Sequence, residues 1–181
     1  VDPLQTNDFA ALGFAFDTYH YGIDTTAFGR ESDIDANGMV IILMTKAVND
    51  LTPDCTNGRV IGYFYGGDLL GGSNSNRAEI FYTLVPAPST SQCAAATRQQ
   101  VVDNVKPTLI HEFQHMISFN QHSLVRAGNA EERWLNEAMS HFAEELGGRL
   151  IPNSECAPTY TSCRSQYTSG DILNAYDYLK N

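Results

Sequence analysis

Apolar residues recur at helical spacing near the start of the chain, and the pattern then changes to short apolar runs. The first spacing predicts a helix over residues 7–19, capped by Thr6 or Asn7, and a polar loop over residues 22–38. The apolar runs predict three strands, of which the first is expected to be buried: 39–44 (MVIILM), 59–65 (RVIGYFY) and 78–84 (AEIFYTL). A Gly-rich loop is expected over residues 66–76.

Helical spacing returns after Cys93 and continues almost to the end of the chain. The predicted helices cover residues 101–120, 132–146 and 171–179. Pro107 either kinks the first of them or marks the start of a new helix, and Gly147 with Gly148 is expected to end the second. Because the strands come first and the helices follow, the sequence predicts an α+β fold.

Composition and charge narrow the class of protein. The chain has 181 residues, which fits one domain with two lobes around a cleft. No apolar run approaches the roughly 20 residues of a membrane span. The formal net charge of −10 argues against nucleic acid or an anionic membrane as a partner, since both need a basic surface. We expect a monomer, and a processed form because the chain begins at Val1 without Met.

The four cysteines indicate an oxidising compartment. None of them forms a CxxC pair, so a cysteine-type zinc site is not expected. An even number suggests two disulfides, and the short loop between Cys156 and Cys163 favours that pair, which leaves Cys55 with Cys93. Four buried free thiols in a cytosolic protein are the alternative.

The segment HEFQH, residues 111–115, carries the most specific chemistry in the sequence. His111 and His115 are four residues apart, so on a helix both imidazoles lie on one face and can bind one zinc ion. Glu112 is rotated by about 100° from His111 and lies beside the metal. There it can take a proton from a zinc-activated water molecule and pass it to a leaving amine. Two buried histidines on an amphipathic helix are the alternative.

A catalytic zinc site also needs a third protein ligand and one open position. Glu137 lies 22 residues after His115, enough for a second helix to return antiparallel and bring its carboxylate to the metal. A solvated helix glutamate is the alternative at that position. Glu144 and Glu145, about two turns further on, are expected to be a surface carboxylate pair or to form salt bridges along the helix face.

The two motifs together resemble a known group of enzymes. HEFQH followed by WLNEAMSH is similar to the gluzincin metallopeptidases, whose thermolysin-like members carry HExxH and then NExxSD. Over residues 104–146 the chain resembles, more narrowly, the hyicolysin-like neutral metallopeptidases, which are secreted enzymes. The resemblance implies a zincin-like fold with a small mixed sheet and the active-site helix in an N-terminal lobe (1–122). It implies a short, mainly helical C-terminal lobe (123–181) that carries the third ligand.

The resemblance supports His111, His115 and Glu137 as zinc ligands and Glu112 as the base. His141 departs from the thermolysin pattern, which has Asp one turn after the ligand Glu, where it orients a ligand histidine. A neutral His141 could accept the same hydrogen bond, or it could face the substrate and stabilise the oxyanion. We expect an active-site role for His141 in either case.

Two further segments are candidates for binding. Asp33, Asp35 and Asn37, followed by a glycine, resemble the first half of a calcium loop. Because the twelfth position is Met44 instead of Glu, a plain Asx-rich turn is favoured over a calcium site. The predicted strand 78–84 suits the edge strand that binds an extended peptide in zinc peptidases, and an ordinary sheet strand is equally well supported.

The sequence therefore predicts a secreted, extracellular zinc endopeptidase that hydrolyses proteins or peptides, with Glu112 as general base and acid. The first alternative is a non-enzymatic secreted module with a structural zinc, which would need a closed four-ligand site with His141 as the fourth ligand. The second is a zinc aminopeptidase, which would need a carboxylate for the free amine of the substrate.

Overall fold

The computed structural model describes residues 1–180 of the chain, without the side chains of Leu173, Asn174, Asp177 and Tyr178. The helices are α1 (Thr6–Ala15), α2 (Tyr21–Phe28), α3 (Lys46–Asn49), α4 (Gly67–Leu70), α5 (Arg98–Phe119), α6 (Arg133–Leu150), α7 (Cys163–Tyr167) and α8 (Ser169–Lys180). The strands are β1 (Ile41–Met44), β2 (Gly62–Phe64) and β3 (Ile80–Thr83). Shorter helical turns lie at Phe16–His20, Asn120–Val125 and Asn153–Glu155. None of the helices described in residues 1–180 combines the length and apolar character that crossing a membrane requires.

The sheet is small and mixed, as the resemblance implies. Strand β3 lies in the centre, with β1 parallel on one side and β2 antiparallel on the other. All four residues of β3 are buried, and Phe81 packs edge-to-face against Phe113 of α5. The α+β class predicted from the order of elements is therefore confirmed, and α5 covers one face of the sheet.

The first helical segment is longer than predicted. Helix α1 passes through the turn Phe16–His20 directly into α2, so the loop begins at Gly29 and not near Gly22. Gly22 disfavours a helix, but Tyr21 beside it stacks on Phe113, and such tertiary packing overrides weak local propensity. The N-terminal cap also differs, because Gln5 and not Thr6 or Asn7 occupies it, in a capping box with Asp8.

The strands are shorter than the apolar runs that predicted them. Strand β1 is an edge strand, with Ile41 39% and Leu43 43% exposed, so its predicted burial is wrong. The second run contributes only residues 62–64, and the predicted loop 66–76 contains the short helix α4. Strands at an edge have a neighbour on one side only, which an apolar run does not reveal.

Pro107 lies inside α5 and does not break it. A proline at this position has no N–H to donate to the carbonyl of Asp103, four residues earlier. The fully buried Gln166 of α7 replaces the missing donor, because its Nε2 lies 2.7 Å from the Asp103 carbonyl oxygen. Its Oε1 accepts from the backbone N–H of Ala157. One side chain therefore satisfies the helix at its proline and ties it to the C-terminal segment.

Helix α6 runs to Leu150, past the two glycines that were expected to end it. Both glycines are buried, and a Cβ at Gly147 would lie 2.9 Å from the Tyr167 ring, while one at Gly148 would lie 2.9 Å from the Arg164 Cα. Their small size allows α7 to approach α6 closely, so they serve packing and not termination.

Both disulfides predicted from the spacing of the cysteines are confirmed. Cys55 pairs with Cys93 and Cys156 with Cys163, and the Cα–Cα distances are 5.0 and 5.2 Å. The first pair joins the segment before β2 to the segment before α5. The second closes the loop between α6 and α7.

Candidate metal centre and cleft

Helix α5 and helix α6 pack against each other and bring the predicted ligands together. His111, Glu112 and His115 lie on α5, well inside a helix that begins with a capping box between Thr97 and Gln100. Both histidine side chains are 13% exposed, whereas the Glu137 side chain of α6 is 44% exposed. The site is therefore partly sheltered and reachable from solvent.

Three side-chain atoms converge on one point. The Nε2 atoms of His111 and His115 are 3.1 Å apart, and Glu137 Oε2 lies 3.4 Å from the first and 3.6 Å from the second. Zinc ligands with bonds of about 2.0–2.1 Å in a tetrahedron lie about 3.3 Å from one another. The donor set and its spacing therefore fit zinc with three protein ligands, and Glu137 is close to the two histidines as predicted.

The second nitrogen of each histidine is held by α6. His111 Nδ1 lies 2.6 Å from Glu144 Oε1, and His115 Nδ1 lies 3.0 Å from the Ser140 hydroxyl. That hydroxyl in turn donates to Gln114 Oε1 at 2.6 Å. A proton on each Nδ1 satisfies both contacts and leaves each Nε2 lone pair directed at the shared point, which is the tautomer a metal ligand needs.

Glu144 is the site residue that the sequence analysis missed. It was expected on the surface, but it is 8% exposed and contacts His111 directly. It lies seven residues after Glu137, which places both carboxylates on one face of α6. That spacing was the available signal, and Glu144 here makes the contact that the thermolysin pattern assigns to an Asp four residues after the ligand.

His141 lies behind the ligands and does not line the cleft. Its Nδ1 is 2.6 Å from Asp171 Oδ1 of α8 and 3.5 Å from Glu144 Oε1, and its ring centre lies 5.0 Å from that of His111. Glu144 makes the contact with His111 that was one of the two expectations for His141. His141 instead forms a cluster with His111 and Glu144, and an active-site role for it stays a prediction. Asp171, and then Glu144, raise the pKa of His141 to about 10.

Glu112 is positioned by the sheet. It is 7% exposed, and its Oε2 accepts a hydrogen bond of 2.8 Å from the backbone N–H of Phe64 in β2. Burial raises the pKa of this carboxyl, while His111 and His115 lower it in part. The hydrogen bond fixes one carboxylate oxygen and leaves the other free for a proton.

The carboxylates of Glu137 and Glu144 and the imidazole of His111 shift one another's pKa values. Burial alone would lower the pKa of His111, but contacts with the Glu137 and Glu144 carboxylates raise it to about 9. Contacts with His111 and His115 hold the pKa of Glu137 well below its usual range. A cation at the shared point would take the place of the proton on His111, so metal binding is expected to strengthen as pH rises.

A cleft of about 680 Å³ opens in front of these groups. Its walls come from β2, α5 and the start of α6, and they include Gly62, Tyr63, Phe119, Glu131 and Asn136. The strand that borders the cleft is therefore β2, and the prediction that residues 78–84 form a substrate-binding edge strand is wrong. Strand β3 is covered on both sides by its neighbours, which is the ordinary sheet strand of the alternative.

The predicted calcium segment forms a turn between α2 and β1. The backbone N–H groups of Asn37 and Gly38 both donate to Asp33 Oδ1. Asn37 Oδ1 accepts from the Met39 N–H, whereas a carboxylate oxygen of Asp35 lies within 4.8 Å of one from Asp33. The Asx-rich turn is thus present, with two aspartates close together.

Comparison with known proteins supports the metallopeptidase resemblance. The chain is 31% identical over 137 residues to the neutral metalloprotease ShpI of Staphylococcus hyicus, a match that covers 75% of this chain. The match spans 30% of the length of that protein. No protein-family model matches the chain. The similarity supports a relationship to metallopeptidases, and the gluzincin subtype stays a prediction.

Proposed function

We propose that the chain is a zinc-dependent endopeptidase with His111, His115 and Glu137 as ligands and Glu112 as general base and acid. The observation that carries the proposal is the convergence of two Nε2 atoms and one carboxylate oxygen within 3.1–3.6 Å of one another, beside a buried glutamate in a cleft. The similarity to a neutral metalloprotease supports the same class.

The chain's own residues account for the remaining chemistry. When bound, zinc would lower the pKa of water and polarise the scissile carbonyl. Glu112, fixed through the Phe64 N–H, takes the proton released as water attacks and later delivers it to the leaving amine. Its burial raises its pKa, which favours that return step.

An internal peptide bond suits this cleft better than a chain end. Strand β2 has β3 on one side, and its other edge borders the cleft, so an extended peptide could add to it by main-chain hydrogen bonds. An aminopeptidase needs a free carboxylate for the amine. The cleft carboxylate available beyond the metal site is Glu131, and its oxygens already contact the Ser118 hydroxyl at 2.6 Å and His122 Nε2 at 3.0 Å.

A structural zinc would need a fourth protein ligand. His141 was the candidate, but its Nδ1 pairs with Asp171 on the far side of His111. Three protein ligands and a side open to the cleft favour catalysis over a closed site. The two disulfides support an extracellular location, and the acidic chain supports protein or peptide partners without nucleic acid or membrane. We propose that it acts as a monomer.

The test compares three glutamate variants of one protein. Glu112→Gln is expected to keep zinc and lose about 10²–10⁴-fold in casein hydrolysis, because it removes a general base and leaves the ligands. Glu137→Gln is expected to lose zinc on dialysis. Glu145→Gln is the matched control, since this carboxylate lies on the same helix but pairs with Arg149. Metal analysis and casein hydrolysis are measured for all three.

The same protein is then given a peptide blocked at both ends. An endopeptidase cleaves it, whereas release of single residues from an unblocked peptide alone would indicate an aminopeptidase. Casein hydrolysis at the wild-type rate by Glu112→Gln would remove Glu112 from its role. A wild-type protein that holds zinc and hydrolyses neither substrate would favour the structural-zinc alternative.

A further inference from the structure

The turn between α2 and β1 meets a buried carboxylate from a distant part of the chain. Carboxylate oxygens of Asp33, Asp35 and Glu79 all lie within 4.8 Å of one another. Glu79 immediately precedes β3, more than 40 residues after the two aspartates, and it was not singled out by the sequence pattern. The cluster lies apart from the zinc ligands, which are on α5 and α6.

Hydrogen bonds hold one carboxylate oxygen of Glu79 in place, whereas the other oxygen lacks a hydrogen-bond partner among the described residues. The residue is 1% exposed, and its Oε1 accepts from the Ser32 hydroxyl at 2.6 Å and from the Ile34 N–H at 3.0 Å. Its Oε2 is buried and has no hydrogen-bond partner among the described residues. A buried, unpaired carboxylate oxygen is costly, and a cation placed between it and the two neighbouring carboxylates would offset that cost.

The described chain does not supply that cation. Within 4.0 Å no Lys, Arg or His nitrogen of residues 1–180 pairs with the carboxylates of Asp33, Asp35 or Glu79. Three negative groups therefore face one another across a small space, with one of them buried. Their repulsion disappears when a metal ion lies between them.

We infer that Asp33, Asp35 and Glu79 bind a calcium ion. All three donors are oxygens, which a hard cation prefers, and two oxygens bound at about 2.4 Å to one ion are at most about 4.8 Å apart. The turn already has the calcium-loop order, with carboxylates at alternate positions and a glycine at φ 66° in the sixth place, Gly38. Glu79 supplies the carboxylate that Met44 cannot supply at the twelfth position.

The ion would join the turn to the sheet at the place where two strands begin. The backbone N–H of Ile41, the first residue of β1, donates to the carbonyl of Glu79 at 2.7 Å. Strand β1 is an exposed edge strand, and its partner among the described residues is β3, with the pairing starting at Ile41 and Ile80. Calcium is therefore expected to stabilise β1 and the loop before it, without contact to the zinc ligands.

The test uses the full chain, stripped of metal on a chelating resin and reloaded with one equivalent of zinc. Calcium chloride is then titrated by calorimetry, and Tm is followed by scanning calorimetry. The wild type is expected to bind one calcium ion saturably and to gain about 5–10 °C in Tm at 100 times its Kd. Glu112→Gln is run in parallel to exclude self-digestion, and its calcium binding should match the wild type.

The variants separate the ligand role from the loop structure. Asp33→Asn and Asp35→Asn keep an oxygen that accepts from the Asn37 N–H, so the turn should persist while calcium affinity falls at least tenfold. Glu79→Gln should abolish binding. Asp54→Asn is the matched control, because Asp54 forms a similar exposed turn with Thr56 outside the cluster, and it should bind like the wild type.

Several outcomes would overturn the inference. Absence of calcium binding by folded wild type up to about 10 mM, beyond the weak extracellular range, would do so. Equal affinity of the wild type and the Asp33 and Asp35 variants would also do so, as would magnesium binding as tightly as calcium. These results leave the zinc proposal untouched, because its readouts are zinc content and hydrolysis in Glu112 and Glu137 variants.

Discussion

Each of the two histidines proposed as ligands directs Nε2 at the proposed metal site and Nδ1 at a side chain of helix α6. Glu144 Oε1 lies 2.6 Å from Nδ1 of His111, and the Ser140 hydroxyl lies 3.0 Å from Nδ1 of His115. A carboxylate on the far nitrogen makes an imidazole a stronger ligand and fixes its orientation. Glu144 is therefore expected to act on zinc through His111, as a positioning residue.

Glu144→Gln should lower zinc affinity about 10–100-fold, because an amide keeps the contact with His111 and loses the charge. Zinc affinity is measured by competition with a chelator, and the Tm of the metal-free protein is measured alongside. The control Glu145→Gln should leave zinc affinity unchanged. An unchanged affinity in Glu144→Gln, or a loss explained by a lower metal-free Tm, would reject the positioning role.

His20 makes stability depend on pH. It is fully buried with Nε2 2.7 Å from the Tyr167 hydroxyl, and burial, followed by the charge of Lys106, lowers its pKa to about 3. Between about pH 6.5 and 3 the unfolded chain binds a proton that the folded chain does not. The stability that neutral His20 gives is therefore complete above about pH 6.5 and falls with pH, by about 1.4 kcal/mol per unit.

Urea unfolding of wild type and His20→Gln at pH 7, 6 and 5 measures this effect directly. The free energy of unfolding of the wild type should fall relative to that of the variant as pH decreases. Other titrating groups are common to both proteins and cancel in the difference. Parallel pH profiles would show that folding does not lower the pKa of His20.

The proposed metal ligands could be picked out from the sequence because the spacing that marks them is local. Helix geometry alone places His111 and His115 on one face. The separation of 22 residues between His115 and Glu137 only allows a second helix to return, and the family resemblance favoured Glu137 at that position. The residues that hold the far nitrogen of each histidine were not predictable to the same degree. Glu144 and Glu145 are adjacent and alike in sequence, and only the packing of α6 on α5 decides that Glu144 is buried while Glu145 pairs with Arg149.

Helix α5, which carries the HEFQH motif, continues unbroken through Pro107. At this proline the helix depends on the side chain of Gln166 from α7. Gln166 donates to the Asp103 carbonyl that Pro107 leaves without a partner. Gln166→Leu leaves that buried carbonyl and the Ala157 N–H unsatisfied, so stability should fall by about 2–4 kcal/mol. Chemical denaturation of the metal-free protein gives this difference.

A second substitution tests the cause. Pro107→Ala restores a backbone N–H that can reach the Asp103 carbonyl, so in the Gln166→Leu background it should recover part of the lost stability. In the wild-type background Pro107→Ala should raise the free energy of unfolding by a smaller amount, because Gln166 already donates to the Asp103 carbonyl. Additive effects of the two substitutions would mean that Gln166 stabilises the protein through packing and not through the proline site.

The types of most helices and strands were predicted correctly, whereas their end residues and the order of the strands in the sheet were not. A periodic apolar pattern gives the helix of residues 101–120, because that signal is local. It does not give the strand order, so β2 and not β3 borders the cleft. The pattern also does not reveal why residue 147 is a glycine. The reason is the close contact with the Tyr167 ring, which forms only in the folded chain, and not the end of a helix.

Two disulfides cross-link the chain, and the loops that they close differ greatly in length. Cys55 and Cys93 are 38 residues apart, whereas Cys156 and Cys163 are 7 apart. On the chain-entropy model the larger loop stabilises the folded state by about 4 kcal/mol and the smaller by about 2 kcal/mol. The pairing was predictable by elimination from the one short spacing.

Replacing Cys55 and Cys93 together with Ala should therefore lower the free energy of unfolding by about 4 kcal/mol, measured in guanidinium chloride. The control is the same comparison in reducing agent, where the wild type loses its bridges too and the difference should nearly vanish. A difference that persists under reduction would assign the loss to packing of the two cysteines.

One face of helix α6 carries the proposed third ligand, Glu137, and the two side chains that contact the histidines, Ser140 and Glu144. Insertions and deletions along the chain should therefore be tolerated very unevenly. One residue added between Glu137 and Glu144 rotates the later contacts by about 100° and separates the carboxylate from His111. Extra residues in the loop 126–132, or after Leu150, leave that face intact, so length variation should collect there.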